Sequence, residues 1–173
     1  MIFLEGCKVM TFSNRDLCHI ALLCALITIS GAFKIPGLVP GMEFQLSAPI
    51  AVAICGVFGI KAYLCAGILS SLIGLILGTQ NILNVCIAML FRVVVAIIYF
   101  GTGPTRIFYL FSGPVGTFMA RMALSFIIGK AAYPLVAAAV PGMIFTACTA
   151  PFCGRVLSLA ARYVQLPGLP AKK

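Results

Sequence analysis

Asn81, Asn84, Ala88 and Arg92 follow one another at steps of three, four and four residues, the spacing that stacks side chains on one face of an α-helix. The run around them is apolar, so this face offers two amides and a guanidinium with the small Ala88 leaving room between them. Such groups hydrogen-bond and neutralise charge; they do not make or break bonds. An arginine near mid-membrane costs roughly 2.5–3.5 kcal/mol on insertion scales, so it faces a cavity or an acceptor. Arg121 sits in a second apolar run and poses the same problem. Two readings are open for both arginines: the base of a polar pocket, or bonds to helix carbonyls that pack a bundle. A third group lies in Gly31–Pro49, where three prolines and three glycines exclude a continuous helix. There Glu43 and Gln45 flank Phe44, which reads either as a lid over a pocket or as an ordinary interfacial loop. Thr79, Gln80 and Asn81 form one turn on the same side of the expected topology, and Lys130 and Tyr133 belong to another.

Catalytic and metal chemistry find no foothold. Asp16, Glu5 and Glu43 are the only acids, His19 is the only histidine, and the eight cysteines contain no C-x-x-C pair. Buried thiols act as small hydrophobes, and no disulfide framework is implied. There is no H-E-x-x-H and no G-x-S-x-G. The one Gly-Lys pair, Gly129-Lys130, is followed by Ala131 and fails as a phosphate-binding loop. The expectation is a non-enzyme that needs no cofactor.

The elements that position these residues follow from composition. Of 173 residues, 62% are hydrophobic and 9% charged, with a mean hydropathy of +1.17. A soluble domain of this size cannot hide that much apolar surface. The expected fold class is therefore an all-α integral membrane protein, a six-helix transmembrane bundle in one domain spanning 1–173. The apolar segments are 17–33, 47–60, 63–77, 81–100, 113–129 and 132–152, the last with an amphipathic continuation toward Tyr163. The second and third read as a tight hairpin around Lys61; merging them, or making one re-entrant, gives a five-span alternative. Residues 34–46 form the lid-like outer loop and 164–173 a cytoplasmic tail. Pro134, Pro141 and Pro151 are expected to bend or break the last span, and no signal peptide is expected at the start.

The charge of +9 is explained by topology. Six spans place Lys8, Arg15, Lys61, Arg106, Arg155, Arg162, Lys172 and Lys173 on one side, against Lys34 and Lys130 on the other. Lysine and arginine collect on the cytoplasmic side, so both termini are expected there and no nucleic-acid partner is needed.

The first span opens Arg15-Asp16-Leu17 and carries Ala21-x-x-x-Ala25, a small-residue step that lets a second helix approach closely. With six spans, this size and the Pro/Gly-rich outer loop, the chain resembles the substrate-binding S components of energy-coupling factor (ECF) transporters. The resemblance implies that Ala21 and Ala25 dock on a transmembrane coupling subunit, and that the outer loop closes over a vitamin or similar micronutrient. It implies two ATPases on separate chains, in the plasma membrane of a prokaryote. By position, Glu43, Gln45, Asn81, Asn84, Arg92 and Arg121 would be substrate-binding residues. The chain lacks the tryptophan of thiamin-binding members and the Met-His start of nickel or cobalt members, and Glu43-Phe-Gln-Leu-Ser-Ala-Pro49 only loosely follows the riboflavin type. A mixed pocket of this kind suits a polar micronutrient with an anionic or amide group. Two other classes stay open: a self-sufficient secondary transporter, and a membrane scaffold subunit.

Overall fold

A computed structural model of the chain describes residues 14–36, 43–128, 137 and 139–163. Within them, five helices pack around a central limb: α1 (Asn14–Ala32), α2 (Ser47–Ile76), α3 (Ile82–Thr102), α4 (Arg106–Ile128) and α5 (Val140–Tyr163). Between α1 and α2, β1 (Lys34–Pro36) pairs antiparallel with β2 (Glu43–Gln45), Ile35 opposite Phe44. The proline-rich stretch is thus not helical, as expected. Its two ends form a short ladder, which the all-helical expectation did not include.

The break in α2 organises the bundle. Gly59 has φ 83° and ψ 173°, a conformation essentially reserved for glycine because a Cβ would clash with the backbone. An unbroken helix of 30 residues would hold its ends about 45 Å apart at 1.5 Å per residue. Both ends instead meet α1: a methyl at Gly31 would lie 3.8 Å from Ser47 Cβ and 3.9 Å from Gln80 Nε2, just past the end of α2. Thr28 on α1 also donates to Ser70 at 3.0 Å. The chain therefore doubles back at Gly59 into two antiparallel limbs, 47–58 and 60–76.

The two limbs are unequal. The first, of about 18 Å, is shorter than a ~30 Å hydrocarbon core. It is also the most buried part of the fold: Val52, Ile54 and Cys55 are fully enclosed, and Ala51, Ala53 and Val57 nearly so. Protein surrounds it, so its short reach leaves no backbone facing lipid. Six separate spans are not confirmed among the described residues. Five helices are described, and four of them, α1, α2, α3 and α5, are long and apolar enough to cross a membrane. The second and third expected segments share one element, with a single glycine as their connection.

Other boundaries move for local reasons. α4 begins at Arg106, seven residues before the expected Gly113, because Thr105 accepts the Phe108 N–H through its hydroxyl and starts the helix there. Gly103, with φ 63°, ends α3, and residues 103–105 form the turn into α4. α5 runs on to Tyr163 with Pro141 in its first turn and Pro151 inside it, so neither breaks it. The expected start of the last span, with Lys130, Tyr133 and Pro134, lies outside the described residues, as do 37–42 of the loop and the tail 164–173. The outward surface carries large apolar side chains such as Leu22, Ile29, Ile76, Ile97 and Phe100. Lipid is the solvent in which such a surface is stable.

Candidate functional site

A cavity of about 150 Å³ opens among α1, α2, α3 and α4, lined on one side by Gly31, Ser47 and Gln80 and deeper by Asn84, Arg92, Thr117 and Arg121. Gly31 and Ser47 flank the β1–β2 ladder in sequence, so the ladder is tethered to the cavity's rim.

Arg92 forms the base. It is 6% exposed, and its Nη1 donates to Ser71 Oγ at 2.8 Å and to Met89 Sδ at 3.6 Å. Ser71 lies on the second limb of α2, one helical turn after Gly67. A methyl at Gly67 would lie 2.3 Å from Arg92 Nε, so the glycine is what lets the guanidinium lie flat on the limb. Among the described residues, the partners of Arg92 are a hydroxyl and a thioether, neither of which neutralises a positive charge. A guanidinium has five N–H donors, so capacity is left for an anion in the cavity.

Gln80 stands at the other polar station. α2 ends in a Schellman turn: Thr79 N–H donates to Gly74 O at 3.0 Å, Gly78 N–H donates to Leu75 O at 3.1 Å, and Gly78 takes φ 69°. Gly74 O also accepts from Gln80 N–H and from the Thr79 hydroxyl, both at 3.1 Å. This folds the Gln80 side chain back over Gly74, where a methyl would lie 3.1 Å from its Cδ. Its Oε1 is buried with no hydrogen-bond partner among the described residues.

The residues named from sequence fare differently. Asn84, Arg92 and Arg121 are brought together around the cavity, with Ala88 between Asn84 and Arg92 as the spacing implied. Asn81 is not among the lining: it is the exposed N-cap residue of α3, in extended conformation, and its side chain makes no cap bond. Glu43 and Gln45 occupy β2, and their side chains lie outside the description. Gln80, Thr117, Ser47 and Phe91 were missed as site residues. Thr117 could have been found four residues before Arg121, and Gln80 only through the turn geometry.

Ala21 and Ala25 are exposed on α1. They line an almost wholly apolar groove with Cys24, Thr28, Ile29, Leu69 and Ile73, separate from the polar cavity. Among the described residues no cluster of three or more histidine, cysteine or acidic side chains could hold a metal ion.

Fold and site together define a helical integral membrane protein with an internal polar cavity built on a buried arginine. Over 136 residues the chain is 50% identical to Protein BioX of Lysinibacillus sphaericus, a match that covers 79% of this chain and 82% of that one. It belongs to the family of that protein. No protein-family profile matches the chain, and no solved structure does.

Proposed function

We propose that the chain is the membrane-embedded substrate-binding subunit of an ECF-type importer, capturing a carboxylate-bearing vitamin or related micronutrient for ATP-driven uptake. One observation carries this reading: Arg92 is buried at the base of a cavity and held there by the neutral Ser71 and Met89. Burying a cation is costly unless something offsets it, and a ligand carboxylate would do so through a charge-assisted bond. The prefix in the name of the BioX relative makes biotin the first ligand to test. In this reading the rim of the cavity faces outside and both termini face the cytoplasm. The chain itself performs no catalysis; a coupling subunit would dock on the Ala21/Ala25 groove and separate ATPases would supply the energy.

The test is native mass spectrometry of the detergent-purified chain for a co-purified small molecule, followed by thermal shift with biotin and other carboxylate vitamins. A one-to-one ligand whose binding is lost in Arg92→Gln supports the reading. An empty protein that shifts with none of them favours a scaffold role. Uptake by vesicles holding this chain alone, driven by an ion gradient, would instead make it a secondary transporter.

A further inference from the structure

Two cations line one cavity: Arg92 reaches it from α3 and the half-buried Arg121 from α4. Gly116 lets those helices meet. A methyl there would lie 2.9 Å from the Phe91 ring and 3.2 Å from Val95 Cγ2, so α4 lies directly against α3 beside Arg92. Among the described residues that line the cavity there is no aspartate or glutamate. Asp16 stands at the start of α1, about 22 Å along the axis from Gly31 at the rim. The lining hydroxyls of Thr79 and Thr117 already donate, to Gly74 O at 3.1 Å and Gly113 O at 2.9 Å. The charge that meets an anion here is thus that of two guanidiniums, and each has five N–H donors, more than one bond to protein consumes. A single negative charge would leave one cation uncompensated in a partly buried site, which is costly. Much of the remaining wall is apolar, with Ile27, Ala51, Ile87, Phe91 and Ala120. A methylene chain suits that wall, whereas a compact dianion such as phosphate does not.

We infer that the cavity selects an α,ω-dicarboxylic acid, with one carboxylate on Arg92, the other on Arg121, and the methylene chain against the apolar wall. This rests on the proposed reading of Arg92 as a carboxylate station. It adds a second station of the same sign and makes Arg121 the residue that tells a dicarboxylate from a monocarboxylate. A ligand with one carboxylate, biotin included, is then bound more weakly than the matching diacid.

The experiment titrates the dicarboxylates from succinate to suberate, and the monomethyl ester of each, calorimetrically into the full chain in zwitterionic lipid nanodiscs at neutral pH. The ester keeps the length and removes one charge. The best diacid should bind at least roughly tenfold more tightly than its ester, the order set by one charge-assisted hydrogen bond. Arg121→Gln should erase that preference while the ester keeps its affinity within about threefold. Arg121→Met removes the same charge and serves if Gln disturbs folding, and Arg121→Lys should restore the preference. Equal affinities for every diacid and its ester in the unaltered chain, or a preference that survives loss of the Arg121 charge, overturn the inference. So does a preference that emerges only in Glu43→Gln, because that carboxylate then neutralises Arg121. Binding of inorganic phosphate in place of any diacid overturns it too. If the esters bind without a diacid advantage and are lost in Arg92→Gln, the carboxylate reading stands without the second station. If no carboxylate binds the unaltered chain, both fall together.

Discussion

Replacing Gly67 with alanine tests the construction of the cavity more sharply than removing Arg92 itself. The new methyl would lie 2.3 Å from Arg92 Nε, 2.8 Å from Cδ and 3.1 Å from Cζ. Carbon and nitrogen rest at about 3.5 Å or beyond, so the side chain must withdraw by ~1.2 Å. The atoms concerned are the stem and the inner nitrogen, not a free tip, so the whole guanidinium moves with them. The Nη1–Ser71 bond starts at 2.8 Å and does not survive such a displacement. A hydrogen bond to a charged group is worth about 1.5–3 kcal/mol, and overpacking a well-filled site costs about 1–3 kcal/mol. The variant should therefore unfold at lower temperature and bind a carboxylate ligand at least tenfold more weakly, in keeping with 1.4 kcal/mol per factor of ten. The assay is calorimetric titration with the ligand found by mass spectrometry, alongside thermal unfolding in the same detergent. Ser71→Ala provides a milder companion, since it removes the acceptor without adding bulk. Refutation would be a Gly67→Ala protein with unchanged melting and affinity within twofold, for then Arg92 is not fixed against α2 as described.

Three further outcomes follow from the same geometry. Gly59→Ala should destabilise the fold by about 1–3 kcal/mol even though no atom lies within 4 Å of the added methyl, because its φ of 83° suits only glycine; thermal unfolding in detergent measures it, and an unchanged midpoint would deny the reversal. Ala21→Trp fills the exposed apolar groove on α1 and should abolish uptake in cells while leaving ligand binding by the purified chain intact; loss of both would contradict a separate docking face. Ser70→Ala should cost about 0.6–1 kcal/mol by removing the 3.0 Å bond from Thr28 that joins α1 to α2, again read from the melting midpoint, and a larger loss would mean that the serine does more than hold the two helices together.

By itself the sequence determined the membrane class, because no arrangement of 62% hydrophobic residues in 173 can be stable in water. It also placed Asn84, Ala88 and Arg92 on one face, since helical periodicity is a local property that survives whatever packs against it. What lay beyond local reach was the path of α2. The two apolar runs read as a hairpin around Lys61 or as one merged segment, and only packing against α1 decides that the chain reverses, and that it does so at Gly59. The first limb could be short because other helices surround it, a fact no window of hydropathy contains. The same limit explains why Asn81 was chosen over Gln80. Three consecutive polar residues look alike in sequence, whereas the Schellman turn around Gly74 folds Gln80 inward and leaves Asn81 exposed at the helix cap. Tertiary structure likewise gave Arg92 its partner: Ser71 stands 21 residues away, and it meets the guanidinium only because α2 doubles back beside α3 and Gly67 has no side chain to keep them apart.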